Sequence, residues 1–158
     1  MANHTIKSNI SELIALVGAV IGLAVYILTS TTGYMAGQGV NAMTIALSVI
    51  AIVVLIVKIA LGGHVANVVN DVLLVGSEAL LIVGFSLFAL ARVRLAADIY
   101  FIPVNYPASE QTALNISIIG VVCYLIAIIA LIVKAFAAKD TDRAIVVADT
   151  ATAAPAVA

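Results

Sequence analysis

Four continuous apolar runs dominate the chain, at about 13–30, 42–61, 68–91 and 116–138. Each is close to the roughly 20 residues that carry an α-helix across the hydrocarbon core of a bilayer. Apolar positions follow one another without the alternation of a membrane β-strand, so a β-barrel is excluded. The pattern predicts an all-α membrane protein, a four-transmembrane-helix bundle filling a single domain at 1–138. Three polar connections separate the runs, at 31–41, 62–67 and 92–115. The middle one is so short that the second and third helices must form a tight antiparallel hairpin.

The ends of the chain read differently. Residues 1–11 are polar and carry Lys7. The first apolar run is longer than the core of a secretory signal, and Thr29-Ser30-Thr31 is a poor cleavage site, so a retained first helix is expected. From Lys139 the chain turns charged and then becomes an Ala- and Thr-rich stretch with Pro155. That composition cannot bury a core, and 139–158 is expected to be a flexible cytoplasmic tail.

Composition sharpens the class. Of the 158 residues, 65% are apolar and 9% charged, with mean hydropathy +1.27. A soluble domain is about 45–50% apolar and about a quarter charged, so a soluble enzyme is excluded, as is a disordered chain. Net charge is −1, which offers no basic field for nucleic acid. The single cysteine, Cys123, cannot form an internal disulfide and in apolar company reads as a buried, inert thiol.

Orientation follows the positive charges near helix ends. With the N-terminus inside, Lys7, Lys58, Lys134, Lys139 and Arg143 fall on the cytoplasmic side and only Arg92 and Arg94 outside. Both termini are therefore expected in the cytoplasm, in a plasma membrane. The outer connection at 92–115 contains Tyr100, Phe101 and Tyr106 with Pro103 and Pro107. The prolines predict an ordered, non-helical turn. Its aromatic rings suit either the headgroup zone or a partner's docking surface.

The chain also echoes itself. Residues 50–58, IAIVVLIVK, return as IAIIALIVK at 126–134, identical at seven of nine positions, and each helix begins near an asparagine, Asn41 or Asn115. Two parallel helical hairpins related by duplication would produce this. So would chance, because apolar spans use a small alphabet, and the sequence leaves both open. Lys58 and Lys134 lie near cytoplasmic helix ends, where a lysine can reach water.

Few residues can carry chemistry. Glu78, 11 residues after Asn67, is expected roughly 16 Å deep, near the bilayer middle. A charge there is expensive, so Glu78 should face the bundle, either as a relay or as a neutral hydrogen-bonded carboxyl. Asp71, Glu78, Phe85 and Arg92 recur every seven residues and predict a polar, bundle-facing strip on the third helix. If the hairpin turns about His64-Val65, Lys58 and Asp71 face each other as an ion pair clamping it. Gly18 and Gly22 form a small-xxx-small pair for close helix packing.

Other constellations are missing from the sequence. Two histidines and one cysteine make no zinc-type metal site, and no cofactor or nucleophile set is present. An enzyme is therefore not expected. The reading is a subunit, anchor or scaffold of a membrane complex, working by association as a homo-oligomer or with a membrane-protein partner in the lipid bilayer. The alternative is a small oligomeric proton- or cation-linked transporter or channel subunit that uses Glu78.

Overall fold

The computed structural model describes the backbone of residues 2–32, 35, 39–61, 66–101 and 108–152, and side chains of those from 10 to 136. Four helices follow one another: α1 (Ala2–Thr31), α2 (Ala42–Leu61), α3 (Asn67–Phe101) and α4 (Ala108–Thr152). All four are long and apolar enough to span a membrane. They run up, down, up and down around a ring in which α1 packs chiefly on α4 and α2 chiefly on α3. The diagonals are α1 with α3 and α2 with α4.

Each helix turns a narrow stripe inward. On α3 the buried residues are Leu74, Ser77, Leu81, Gly84, Phe88, Arg92 and Leu95, spaced by three or four as a helix face requires. On α2 the stripe is Thr44, Ser48, Ala51, Leu55 and Lys58. The outward faces carry Val, Ile and Leu, as at Leu13, Val17, Val53, Val75 and Ile129. An apolar exterior around a core that holds the polar groups is the arrangement hydrocarbon solvent selects.

The helices overrun the apolar stretches that predict them. The chain from Arg92 to Phe101 continues α3, and α4 begins at Ala108, so most of the expected outer connection is helical. The reason is packing: Leu95 with Ala96 and Ile99 of α3 meets Met35, Ala113 and Leu114 in a second, smaller core beyond Arg92. At the other end α4 continues to Thr152 where a flexible tail was expected. Alanine is the strongest helix former, and the residues after 138 are rich in it. The prolines Pro103 and Pro107, together with Tyr106 and His64, lie outside the described residues.

Asn41 caps α2: its side-chain Oδ1 accepts the backbone N–H of Met43 at 3.0 Å. Asn115 does no such thing, because α4 has already made two turns before it. The asparagine part of the echo is therefore coincidental in structure.

Candidate functional site

Two polar layers are buried in the bundle, one near each end. In the first, Glu12 of α1 meets both lysines of the echoed segment. Lys58 Nζ donates to Glu12 Oε1 at 2.5 Å, and Lys134 Nζ stands 3.5 Å from the same oxygen. The side chains of Lys58 and Glu12 are 2% and 4% exposed, against 17% for Lys134. Two ammonium groups thus share one carboxylate, with the less buried lysine nearer the exterior. Neither charge could stay so deep alone.

In the second layer Arg92 of α3 is 6% exposed. Its Nε donates to Ser117 Oγ at 3.0 Å, and its Nη2 to Thr29 Oγ1 at 2.8 Å and Ser30 Oγ at 2.7 Å. The guanidinium carbon lies 5.4 Å from the ring centres of both Tyr26 and Phe88, within cation–π range. Arg92 therefore ties α1, α3 and α4 together with hydroxyls and ring faces, without a carboxylate among the described residues.

An aromatic ladder joins this layer to the middle of the bundle. Tyr26 meets Phe88 edge-on at 5.0 Å, and Phe88 meets Tyr124 edge-on at 6.0 Å. Tyr124 then donates its hydroxyl to Ser48 Oγ at 2.7 Å, and Ser48 donates to the carbonyl of Thr44. From Glu12 to Thr29 the helix rises roughly 26 Å, so the two charged layers are spaced to lie just inside the two edges of a hydrocarbon core of about 30 Å.

Several expectations need correction. The predicted Lys58–Asp71 pair does not form: Lys58 is on Glu12, and Asp71 is exposed. The cause is hairpin register. Gly84 lies directly against Ser48, where an added Cβ would stand 3.0 Å from its Oγ. That places Leu74, not Asp71, opposite Lys58, a shift of about one turn. The same register puts Glu78 about one turn, roughly 6 Å, along α3 from the level of Lys58 toward the middle of the bundle. Nor do Asp71, Glu78 and Arg92 form one bundle-facing strip. Arg92 is buried, Glu78 is half-buried at the stripe's edge, and Asp71 faces out. A seven-residue repeat drifts around a helix of 3.6 residues per turn, and here it drifts off the core.

Gly18 and Gly22 face α4. A Cβ at Gly18 would sit 2.8 Å from the Cys123 carbonyl oxygen, and one at Gly22 would sit 2.5 Å from the Tyr124 ring. Cys123 itself is half-buried rather than fully enclosed. Tyr100 and Phe101 end α3 at 69% and 85% exposure. Among the described residues no group of three or more His, Cys, Asp or Glu could hold a metal.

Glu12, Tyr26, Ser117 and Tyr124 are the residues to which sequence reasoning gave no role in a site. Glu12 was detectable. It begins the three-four stripe of Ala15, Ala19, Gly22, Tyr26 and Thr29, but stands just before the first apolar run and so reads as flank.

No family model, curated protein or solved structure matches the chain. What is established is a four-span membrane protein built around two buried charged layers.

Proposed function

We propose that the protein works by association within the membrane, as a subunit, anchor or scaffold, with the outer side of α3 as its contact face. One observation carries this reading. Glu78 lies within the α3 span, half-exposed beside outward-facing Val75 and Ile82, and makes no hydrogen bond or ion pair to a described residue. The charges of the two buried layers, Glu12, Lys58, Lys134 and Arg92, have partners. A charged side chain in the hydrocarbon costs about 2.5–3.5 kcal/mol at its centre, less near an edge. A neighbouring helix that offers a hydroxyl, an amide or a cation removes that cost.

Proton- or cation-linked transport is the second reading and draws on the same group, a titratable carboxyl in the span without an internal partner. Two variants separate the readings. Under association, Glu78→Leu reduces the size of the particle purified in mild detergent or the yield of its co-purifying partner, and Glu78→Gln, which still hydrogen-bonds, does so less. Under transport, Glu78→Gln assembles normally but loses pH- or ion-dependent flux in proteoliposomes. A protein that is monomeric and alone in lipid nanodiscs, with both variants indistinguishable from it, would falsify the association reading.

A further inference from the structure

Beside the Arg92 layer lies a hollow of about 300 Å³, reached from the side of the bundle. Tyr26, Asn41, Leu87, Leu90, Arg92 and Arg94 contribute to its wall, which includes no carboxylate among the described residues. Its donors are not spent. Arg92 uses Nε and Nη2 on the three hydroxyls, and Nη1 has no hydrogen-bond partner among the described residues. Tyr26, 1% exposed, accepts the backbone N–H of Asn41 at 3.0 Å through its hydroxyl oxygen, which leaves the hydroxyl proton to give. Arg94, exposed at the rim, adds a second guanidinium.

Two positive charges and a phenol around a cavity whose described wall holds no carboxylate favour an anion. Asp98, one turn beyond Arg94 on α3, forms no ion pair with it. Glu110, the buried carboxylate at this end, does not supply the anion: it forms no ion pair with Arg92 or Arg94, and its Oε2 has no partner. We infer that the hollow binds a phosphate group, held by Arg92 and Arg94 with the Tyr26 hydroxyl as a third donor. A tetrahedral oxyanion presents enough acceptors to meet all three, and guanidinium is the side chain best shaped to meet it. The lower wall indicates how such a group arrives. Leu87 and Leu90 continue the hollow down the outer face of α3, with Leu90 67% exposed. A phosphate at the Arg92 level stands close to the edge of the hydrocarbon core, within reach of a bilayer's own headgroups, and those leucines offer an apolar surface to an acyl chain.

The test uses the full chain in detergent, titrated with dioctanoyl phosphatidylglycerol, dioctanoyl phosphatidylcholine or inorganic phosphate, and followed by thermal unfolding and by native mass spectrometry. Saturable stabilisation by phosphatidylglycerol is expected. Arg94→Gln, at the rim, should weaken it roughly fivefold or more while leaving the ligand-free midpoint unchanged. Tyr26→Phe keeps the ring and the net charge, and should also weaken binding, which separates a site from general attraction to a positive surface. If inorganic phosphate stabilises equally, the site takes a free anion; if only the lipids do, it takes a headgroup. No saturable binding of either, or equal affinity in the wild type, Arg94→Gln and Tyr26→Phe, overturns the inference.

Discussion

Ser48 and Tyr124 stand 76 residues apart in sequence and share a 2.7 Å hydrogen bond across the α2–α4 diagonal of the bundle. That separation is the offset at which 50–58 returns as 126–134. The echoed lysines obey the same geometry, for Lys58 and Lys134 meet on one carboxylate of α1. Ala51 and Leu55 on α2 are fully buried, and so are Ala127 and Leu131 at the corresponding places on α4. Equivalent residues of the two segments therefore meet near the bundle axis, as two hairpins in parallel orientation would place them.

The Tyr124–Ser48 bond should be asymmetric to mutation. Tyr124→Phe removes the donor and leaves Ser48 bonded to the Thr44 carbonyl, so the loss is about 0.5–1.5 kcal/mol. Ser48→Ala leaves a fully buried Tyr124 hydroxyl without its acceptor, and the cost rises to about 1–3 kcal/mol. Unfolding of the purified protein in mixed detergent–denaturant micelles ranks the two. Equal losses would mean the hydroxyl finds another acceptor.

The Glu12 layer should show the order of burial. Glu12→Gln removes the carboxylate from the deeply buried Lys58 and is expected to cost about 3–5 kcal/mol, the range for breaking a buried pair. Lys58→Met leaves Lys134 to neutralise Glu12 and should cost less. Lys134→Met, which removes the more exposed and more distant lysine, should cost least. Asp71→Asn should be silent to within about 0.5 kcal/mol, because it is an exposed group away from any such feature. An Asp71→Asn protein as unstable as Lys58→Met would restore the hairpin pair and sink this assignment.

The helix count was legible because hydrocarbon demands about 20 apolar residues per crossing, and the chain states that plainly. Helix ends were not, because a span is only part of a helix. Leu95 and Ile99 hold α3 together past Arg92 through contacts with Met35 and Leu114, distant residues that no local window joins. The site was half legible. Arg92 and Lys58 stood out as charges in apolar runs, but their partners lie on α1 and α4, outside the α2–α3 hairpin. One turn of slippage exchanged Asp71 for Leu74 opposite Lys58. Glu12 and the hydroxyls of Thr29, Ser30 and Ser117 look ordinary in sequence, and only the packing of separate helices brings them to a charge.

The glycines divide by surroundings, and alanine substitution should expose this. Gly22→Ala pushes a methyl into the Tyr124 ring, and Gly18→Ala pushes one against backbone at the Cys123 carbonyl. Overpacking of this kind costs about 1–3 kcal/mol, with the backbone clash less easily relieved. Gly76 has nothing within 4 Å of an added Cβ. Gly76→Ala should be neutral or stabilising by up to about 1 kcal/mol through helix propensity alone. Thermal unfolding of the three variants in one detergent decides it, and a destabilised Gly76→Ala would place a neighbouring chain against that side of α3.

The last expectation concerns which end faces the cytoplasm. Lys58 and Lys134 are neutralised in part by Glu12, and Arg92 is buried, so they count for less than their number. The remaining positive charges still fall unevenly, with Lys7, Lys139 and Arg143 beyond the Glu12 end and Arg94 at the other. Uncompensated lysines and arginines are retained on the cytoplasmic side, so the Glu12 end should be inside. In a Cys123→Ala background, an Ala108→Cys variant carries its thiol at the exposed start of α4, on the Arg92 side. It should react with a membrane-impermeant maleimide on intact cells, whereas Thr150→Cys should react only after lysis. The opposite pattern would reverse the topology. It would also move the phosphate-binding hollow to the cytoplasmic leaflet, where anionic headgroups are concentrated.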